Sequence, residues 1–132
     1  MLLIIDKQYE KESIMWYSPG DVISIRVGTI RHEGIMTEHG RVICNSRRYG
    51  GVAEKSVRDF ARGRKITNHG ALSRTKPGLV LARARAQMGR RYHPVTHNCE
   101  HFVRECHGKD PYSPQKRTVL GLAALAAAIA AL

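Results

Sequence analysis

Cysteine and long apolar runs are both scarce in this sequence of 132 residues. Three cysteines, an odd count, argue against a small scaffold held together by disulfides, so we expect the thiols to be free. The apolar stretch at the N terminus stops at Asp6, which is too short for the core of a signal peptide. We therefore expect one small domain that works in a reducing compartment, the cytoplasm.

Acidic side chains are few as well. The sequence has 11 Asp and Glu against 22 Lys and Arg, which gives a net charge of +11 and a pI of about 10.1. Such an excess indicates an anionic partner: phospholipid head groups, nucleic acid or an acidic protein. Among these we favour an anionic membrane surface over nucleic acid. The sequence does not indicate an oligomeric state.

Alternation of apolar and polar residues predicts a small antiparallel sheet. In the first strand Ile23, Ile25 and Val27 share one face, while Ser24 and Arg26 share the other. The predicted strands cover residues 21–27, 30–36, 41–45, 52–55 and 65–69. The first three of them form a meander with short turns.

Capping signals predict three helices. Ser56 is a good N-cap for a short first helix, which carries Asp59 on its first turn. Pro77 opens a second helix that reaches Met88, and we expect Met88 to face the core. The third helix begins after Asn98, whose side chain suits the N-cap position.

The third helix places Cys99 at its first turn. The positive end of the helix dipole stabilises a thiolate there and lowers the pKa of the thiol below the free value of about 8.5. The competing interpretation is a core stripe, because Cys99, Phe102, Val103 and Cys106 recur at helical spacing. Spacing alone favours the core stripe, so the decision depends on the surrounding motif.

That motif is Asn-Cys-Glu-His-Phe-Val at residues 98–103, which resembles the nucleophile motif of the lecithin:retinol acyltransferase-like family, a circularly permuted branch of the NlpC/P60 papain-like thiol enzymes. Further pieces that resemble the family are Tyr92 and residues 20–23, 31–35 and 40–43. The resemblance covers residues 18–108 and implies an α+β fold in which a small antiparallel sheet packs against helices. Residues 1–17 are then an N-terminal extension, and residues 109–132 a basic linker with an apolar, alanine-rich segment.

The resemblance implies Cys99 as a nucleophile and His32 as its base. The family's third polar position, often histidine, falls on Cys44, and a thiol orients imidazole poorly because it accepts hydrogen bonds weakly. Asn45 is the better candidate chemically, but its side chain should point to the opposite face of the sheet. His39, in the turn between two strands, is a further candidate.

The remaining site residues support the start of the third helix. Backbone amides near Cys99, together with the Tyr92 hydroxyl, would stabilise an oxyanion, and Asn98 would support the site as the N-cap of the helix. No cofactor is implied. A zinc site is the alternative, since four histidines and two cysteines lie between residues 93 and 107, but a Cys-x-x-Cys pair is lacking.

The C-terminal stretch 118–132 carries no charge and follows Lys116 and Arg117. As a helix it would span about 22 Å, less than the roughly 30 Å of a hydrocarbon core. It is therefore either a partial membrane anchor beside basic residues or a helix packed against the domain or a partner.

Two classes of function follow. The resemblance implies a cysteine-dependent acyl hydrolase or acyltransferase that forms an acyl-thioester and takes lipid acyl esters as donors. The wider superfamily offers an amidase or peptidase as the alternative. The second class is a binding module for an anionic partner, in which turnover is weak because the third polar residue is atypical.

Overall fold

The computed structural model describes residues 3–4 and 16–111. Its elements are β1 (Leu3–Ile4), β2 (Trp16–Tyr17), β3 (Val22–Val27), β4 (Ile30–Met36), β5 (Arg41–Ser46), β6 (Gly51–Ser56), α1 (Val57–Ala61), β7 (Thr67–Gly70), α2 (Pro77–Ala86) and α3 (Cys99–Cys106). Strands β3 to β7 form an antiparallel sheet in the order β6-β5-β4-β3-β7, and β1 pairs with β2. The predicted α+β class, a small antiparallel sheet packed against helices, is confirmed, and the arrangement is consistent with a permuted NlpC/P60 fold.

The strands lie close to their predicted positions because their side chains alternate between two environments. Strand β4 coincides with the predicted segment 30–36, and β5 continues one residue further, to Ser46. Strand β3 begins at Val22 because Asp21 closes the preceding turn: its amide donates to the Ser18 carbonyl at 3.0 Å, and its carboxylate accepts from the Ser18 amide at 2.9 Å.

The sheet has a buried cluster on each face, since successive residues of a strand point in opposite directions. The first cluster lies under α1 and contains Tyr17, Ile23, Ile25, Met36, Val42, Cys44, Val57, Phe60, Ala61 and Ile66. The second lies under α2 and α3 and contains Val22, Ile35, Ile43, Val52, Val80, Leu81, Ala84, Phe102, Val103 and Cys106. We call these two sides of the sheet the α1 face and the α3 face.

The first two helices begin where their caps predict. Ser56 caps α1 by accepting a hydrogen bond from the Asp59 amide at 3.0 Å, and Pro77 is the first residue of α2. The buried residues of α2 are Val80, Leu81 and Ala84. The prediction that Met88 faces the core is wrong, because α2 ends at Ala86 and Met88 lies beyond it with 46% of its surface exposed.

The third helix buries Phe102, Val103 and Cys106 of the stripe expected from its spacing, and His107 fixes its C-terminal end. Its Nε2 donates to the Gly20 carbonyl at 2.9 Å, and its Nδ1 accepts from the Ser73 hydroxyl at 3.0 Å. Gly108 follows with a positive φ of 71° and stops the helix. The bond to Gly20 ties the end of α3 to the turn before β3, and the bond to Ser73 ties it to the loop before α2.

Of residues 109–132 the structure describes only 109–111, so the predicted apolar segment 118–132 lies outside the described residues, and so does most of the extension 1–17. Among the helices that the structure describes, none has both the length and the apolar character needed to cross a bilayer.

Candidate active site

The N terminus of α3 is held by a reciprocal cap. The side-chain oxygen of Asn98 accepts hydrogen bonds from the amides of Glu100 at 3.0 Å and His101 at 3.1 Å. The Asn98 amide in turn donates to Nδ1 of His101 at 3.0 Å, which completes a capping box. Cys99 is therefore the first residue of a helix in which the Asn98 side chain satisfies the amides of Glu100 and His101.

The three cysteines differ in their access to solvent. Cys44 and Cys106 are buried, whereas Cys99 is partly exposed. Burial raises the pKa of Cys44 to about 12, and the charge of Cys99 adds to this. Burial also raises the pKa of Cys106 to about 12, helped by the charge of Glu105. Cys44 and Cys106 thus stay protonated at neutral pH, and Cys99 is the thiol that a substrate can reach.

The sulfur of Cys99 lies against β4. Its thiol points at the main-chain oxygen of Arg31, with 3.8 Å between Sγ and oxygen, and Arg31 directly precedes His32. The backbone of His32 is fixed by pairing with Ile25 of β3, within a ladder that runs the length of β4. The helix and the strand predicted to carry nucleophile and base are thus in contact.

His32 lies on the α1 face, where its ring stacks on Phe60 with 5.2 Å between ring centroids and 29° between ring planes. Burial lowers the pKa of His32 to about 4, and the positive charge of Arg62 adds to this. Within the described part of the chain, the ring nitrogens of His32 form no hydrogen bond. The imidazole is therefore neutral at pH 7, the form in which a general base acts.

Two of the predicted partners of His32 are Cys44 and His39. Cys44 is buried on the α1 face close to Gly34, whose added Cβ would lie 3.3 Å from the Cys44 Cβ. His39 lies in the β4–β5 turn with 74% of its side chain exposed, 3.3 Å from Glu38. Neither is hydrogen-bonded to His32 among the residues described, so an orienting role for them stays a prediction.

Asn45 points to the α3 face, since β5 pairs with β6 in continuous register without a bulge. Its Nδ2 donates to the carbonyls of His97 at 2.8 Å and Asn98 at 3.3 Å. Its Oδ1 and both ring nitrogens of His97 are buried without a partner in the described part of the chain. Asn45 therefore holds the loop that leads into Cys99, and its predicted action on His32 remains a prediction.

Tyr92 lies within electrostatic reach of the reactive sulfur. Burial raises the pKa of its hydroxyl, the charge of Cys99 raises it further, and Arg47 acts in the opposite direction. The Tyr92 amide donates to the Gly50 carbonyl at 3.1 Å, which fixes this segment to the end of β6. A protonated phenol near Cys99 is a suitable hydrogen-bond donor to a developing oxyanion.

His93 and His97, near Cys99, form hydrogen bonds that fix the main chain of their loop. His93 and His97 exchange main-chain hydrogen bonds of 2.8 and 2.9 Å, and Nδ1 of His93 accepts from the amides of Val95 and Thr96. In the described residues, no group of three or more His, Cys, Asp or Glu side chains is placed to hold a metal ion. The zinc alternative gains no support from this geometry.

Two parts of the site were not found from the sequence. Phe60 was recognised only as an inward-facing residue of a short helix, and Arg31 only as a neighbour of His32. No pattern in the sequence could have revealed either contact, because each joins residues that are distant in the chain.

Comparison with known proteins agrees with the resemblance seen in the sequence. The profile of the lecithin retinol acyltransferase family matches residues 16–111, a range that contains Cys99, His32 and the whole five-stranded sheet. No curated protein matches the chain. The match spans well over half of the sequence, so this chain belongs to the lecithin retinol acyltransferase family, whose membership implies acyltransferase or hydrolase activity of the thiol type.

Proposed function

We propose that the protein is a cysteine-dependent acyl hydrolase or acyltransferase that works through an acyl-thioester on Cys99, with His32 as its base. One observation carries the proposal. The only cysteine not buried lies at a capped helix start, with its sulfur 3.8 Å from the main-chain oxygen of the residue before a neutral His32.

The proposed reaction has two halves. His32 accepts the proton from the Cys99 thiol, and the sulfur attacks the carbonyl carbon of the ester. Main-chain amides near Cys99 and the Tyr92 hydroxyl stabilise the oxyanion; as it collapses, the carbon–oxygen bond breaks and the leaving alcohol takes the proton from His32. Water or an amine then gives its proton to His32 and attacks the thioester, which releases the acid or amide and returns the proton to the sulfur.

We propose lipid acyl esters as the substrates and an anionic membrane surface in the cytoplasm as the place of action. Family membership and the net charge of +11 support this choice, because a basic protein concentrates at anionic lipid. An amidase or peptidase uses the same residues and differs only in the leaving group. A binding module is the remaining alternative, since the buried Cys44 offers His32 no strong hydrogen-bond acceptor.

The proposal is tested by intact-mass analysis of the full chain after incubation with a short-chain phospholipid, a neutral diacylglycerol and a peptide. We expect a single acyl adduct from the ester substrates, which peptide mapping places on Cys99. Cys99→Ser should abolish the adduct. An adduct from the peptide alone would replace the ester reaction with amide cleavage.

A matched pair of histidine variants separates base catalysis from general damage. His32→Ala should slow acylation about 100-fold or more, the usual contribution of a general base. His39→Ala removes the exposed imidazole of the β4–β5 turn, and an unchanged rate would exclude the orienting role predicted for His39. Equal, slow reaction of all three cysteines with iodoacetamide, and no adduct with any substrate, would favour the binding module.

A further inference from the structure

A basic cleft of about 460 Å³ opens beside the candidate site. Four cationic side chains line it: Arg26, Arg31, Arg64 and Lys65. Arg26 and Arg31 are paired across β3 and β4, whereas Arg64 and Lys65 precede the edge strand β7. Residues distant in the sequence thus direct positive charge toward one concave surface.

Most of this charge has no counterion in the protein. Arg31 is paired with Glu33 at 2.6 Å. Within the described residues, Arg26, Arg64 and Lys65 form no ion pair. Like charges around one cleft repel each other, so an anion bound there would relieve the repulsion as well as form hydrogen bonds.

The cleft also offers neutral hydrogen-bonding groups. Ser24 is buried, and its hydroxyl lies 2.7 Å from Nε2 of His69. Burial, with the charge of Arg31, lowers the pKa of His69, so its ring is neutral at pH 7. The hydroxyl of Thr67 completes the lining. Hydroxyl and imidazole groups among guanidinium groups suit the several oxygens of a phosphate.

The lining favours a phosphate group over a nucleic acid strand. Proteins that bind single strands stack bases on aromatic side chains. Among the described residues that line the cleft, His69 has the only ring. A compact anion that fills a concave site is the better match to this chemistry.

The cleft leads toward Cys99. A smaller pocket of about 110 Å³ shares Arg31 and His69 with it and is also lined by Glu100, the residue after Cys99. Arg31 also supplies the main-chain oxygen that lies 3.8 Å from the Cys99 sulfur. A ligand anchored in the cleft and extended into the smaller pocket would therefore reach the residue next to Cys99.

We propose that Arg26, Arg64 and Lys65, with Arg31 at the boundary, bind the phosphate group of a phosphate-bearing acyl ester and position its carbonyl at Cys99. This inference rests on the proposed function and adds to it a subsite that selects substrates by their phosphate. The cleft would bind the phosphate group of the substrate whether the reaction is hydrolysis or acyl transfer, because binding precedes the chemical step.

The kinetic test compares dihexanoyl phosphatidylglycerol with 1,2-dihexanoylglycerol, which has the same acyl esters but no phosphate. Arg26→Gln combined with Arg64→Gln should raise KM for the phospholipid about tenfold or more, as expected for lost charge-assisted hydrogen bonds, and leave the neutral ester unchanged. Arg58→Gln combined with Arg74→Gln removes the same charge from exposed positions outside the cleft and is the matched control. Equal KM changes in the two double variants, or none, would overturn the proposal.

Binding to Cys99→Ser, measured by calorimetry with the same phospholipid, separates the cleft from the chemistry. If no ester acylates the wild-type protein, the proposed function fails, while a tenfold weaker binding caused by the cleft substitutions still supports the subsite. Inorganic phosphate that binds as tightly as the phospholipid would overturn substrate positioning. A twelve-residue oligouridylate that binds more tightly, and depends equally on both pairs of arginines, would overturn it in favour of nucleic acid.

Discussion

The imidazole of His32 rests on the phenyl ring of Phe60, with the ring centroids 5.2 Å apart. This contact joins the proposed base on β4 to a core residue of α1, on the face of the sheet where Cys44 lies, and the charge of Cys99 acts on Cys44. It contributes to the burial that, with the charge of Arg62, lowers the pKa of His32 to about 4. The protonation state of the site therefore depends on packing in a short helix.

The first prediction concerns the acid side of the rate profile. His32 works as a base only when neutral, so kcat/KM for an ester should fall with an apparent pKa of about 4 rather than about 6.5. Phe60→Leu exposes the imidazole and should move this limb to higher pH. The measurement is kcat/KM between pH 4 and 8, with circular dichroism in each buffer to show that the protein stays folded. A wild-type limb near pH 6.5 would contradict the assignment.

The second prediction is a loss of stability in mild acid. The folded pKa of His32 lies below its unfolded value of 6.5, so the unfolded chain binds the proton more readily. The contribution of His32 to the free energy of unfolding, at most about 3 kcal/mol, is complete above pH 6.5 and is lost as the pH falls toward 4. Burial also lowers the pKa values of His69, His97 and His107, which act in the same direction.

Urea unfolding at pH 7.5, 6.0 and 5.0 measures this loss. His32→Asn should flatten the pH dependence of the free energy of unfolding. The prediction fails if His32→Asn and the wild-type protein lose stability in parallel.

The third prediction concerns the loop before Cys99. Asn45→Ala removes the donor to the carbonyls of His97 and Asn98 and should cost about 1–3 kcal/mol of stability. It should also slow acylation of Cys99 at least about tenfold, because a small displacement of a nucleophile is costly. Val52, the cross-strand neighbour of Asn45, supplies the control. Val52→Ala should lower the melting temperature with little change in the rate of acylation. Equal acylation rates for the two variants would show that Asn45 does not position Cys99.

The fourth prediction uses two glycines. A Cβ on Gly34 would lie 2.5 Å from a methyl carbon of Val42 and 3.0 Å from the ring of Phe60. Gly34→Ala should therefore destabilise the protein by about 1–3 kcal/mol and lower activity by shifting the ring beneath His32. Gly78 has no atom within 4 Å of an added Cβ, so Gly78→Ala should be neutral or stabilise α2 by up to about 1 kcal/mol. Thermal unfolding and the acylation rate distinguish the two, and an unchanged rate in Gly34→Ala would show that Phe60 does not position the base.

Local chemistry explains what the sequence predicted well. Ser56 and Asn98 cap helices because their side chains reach amides two or three residues away, and Pro77 fits a first helical position. The alternation along β3 identified Ile23 and Ile25 as residues of one face, since side chains in a strand repeat every second residue. Met88 was predicted wrongly because it lies just beyond the end of α2. The helical spacing of apolar residues continues in the sequence after the helical backbone has ended.

The sequence by itself determined the elements, the capped start of α3 and the family motif around Cys99, because these depend on neighbouring residues and periodic spacing. Only the tertiary structure decided which thiol stays accessible, that Arg31 lies at the sulfur, and that Asn45 holds the loop. The Cys99–Arg31 contact joins positions 68 residues apart, and the Asn45–His97 bond joins positions 52 residues apart. Contacts over such separations arise from how the sheet pairs and how α3 packs on it, which no local pattern encodes.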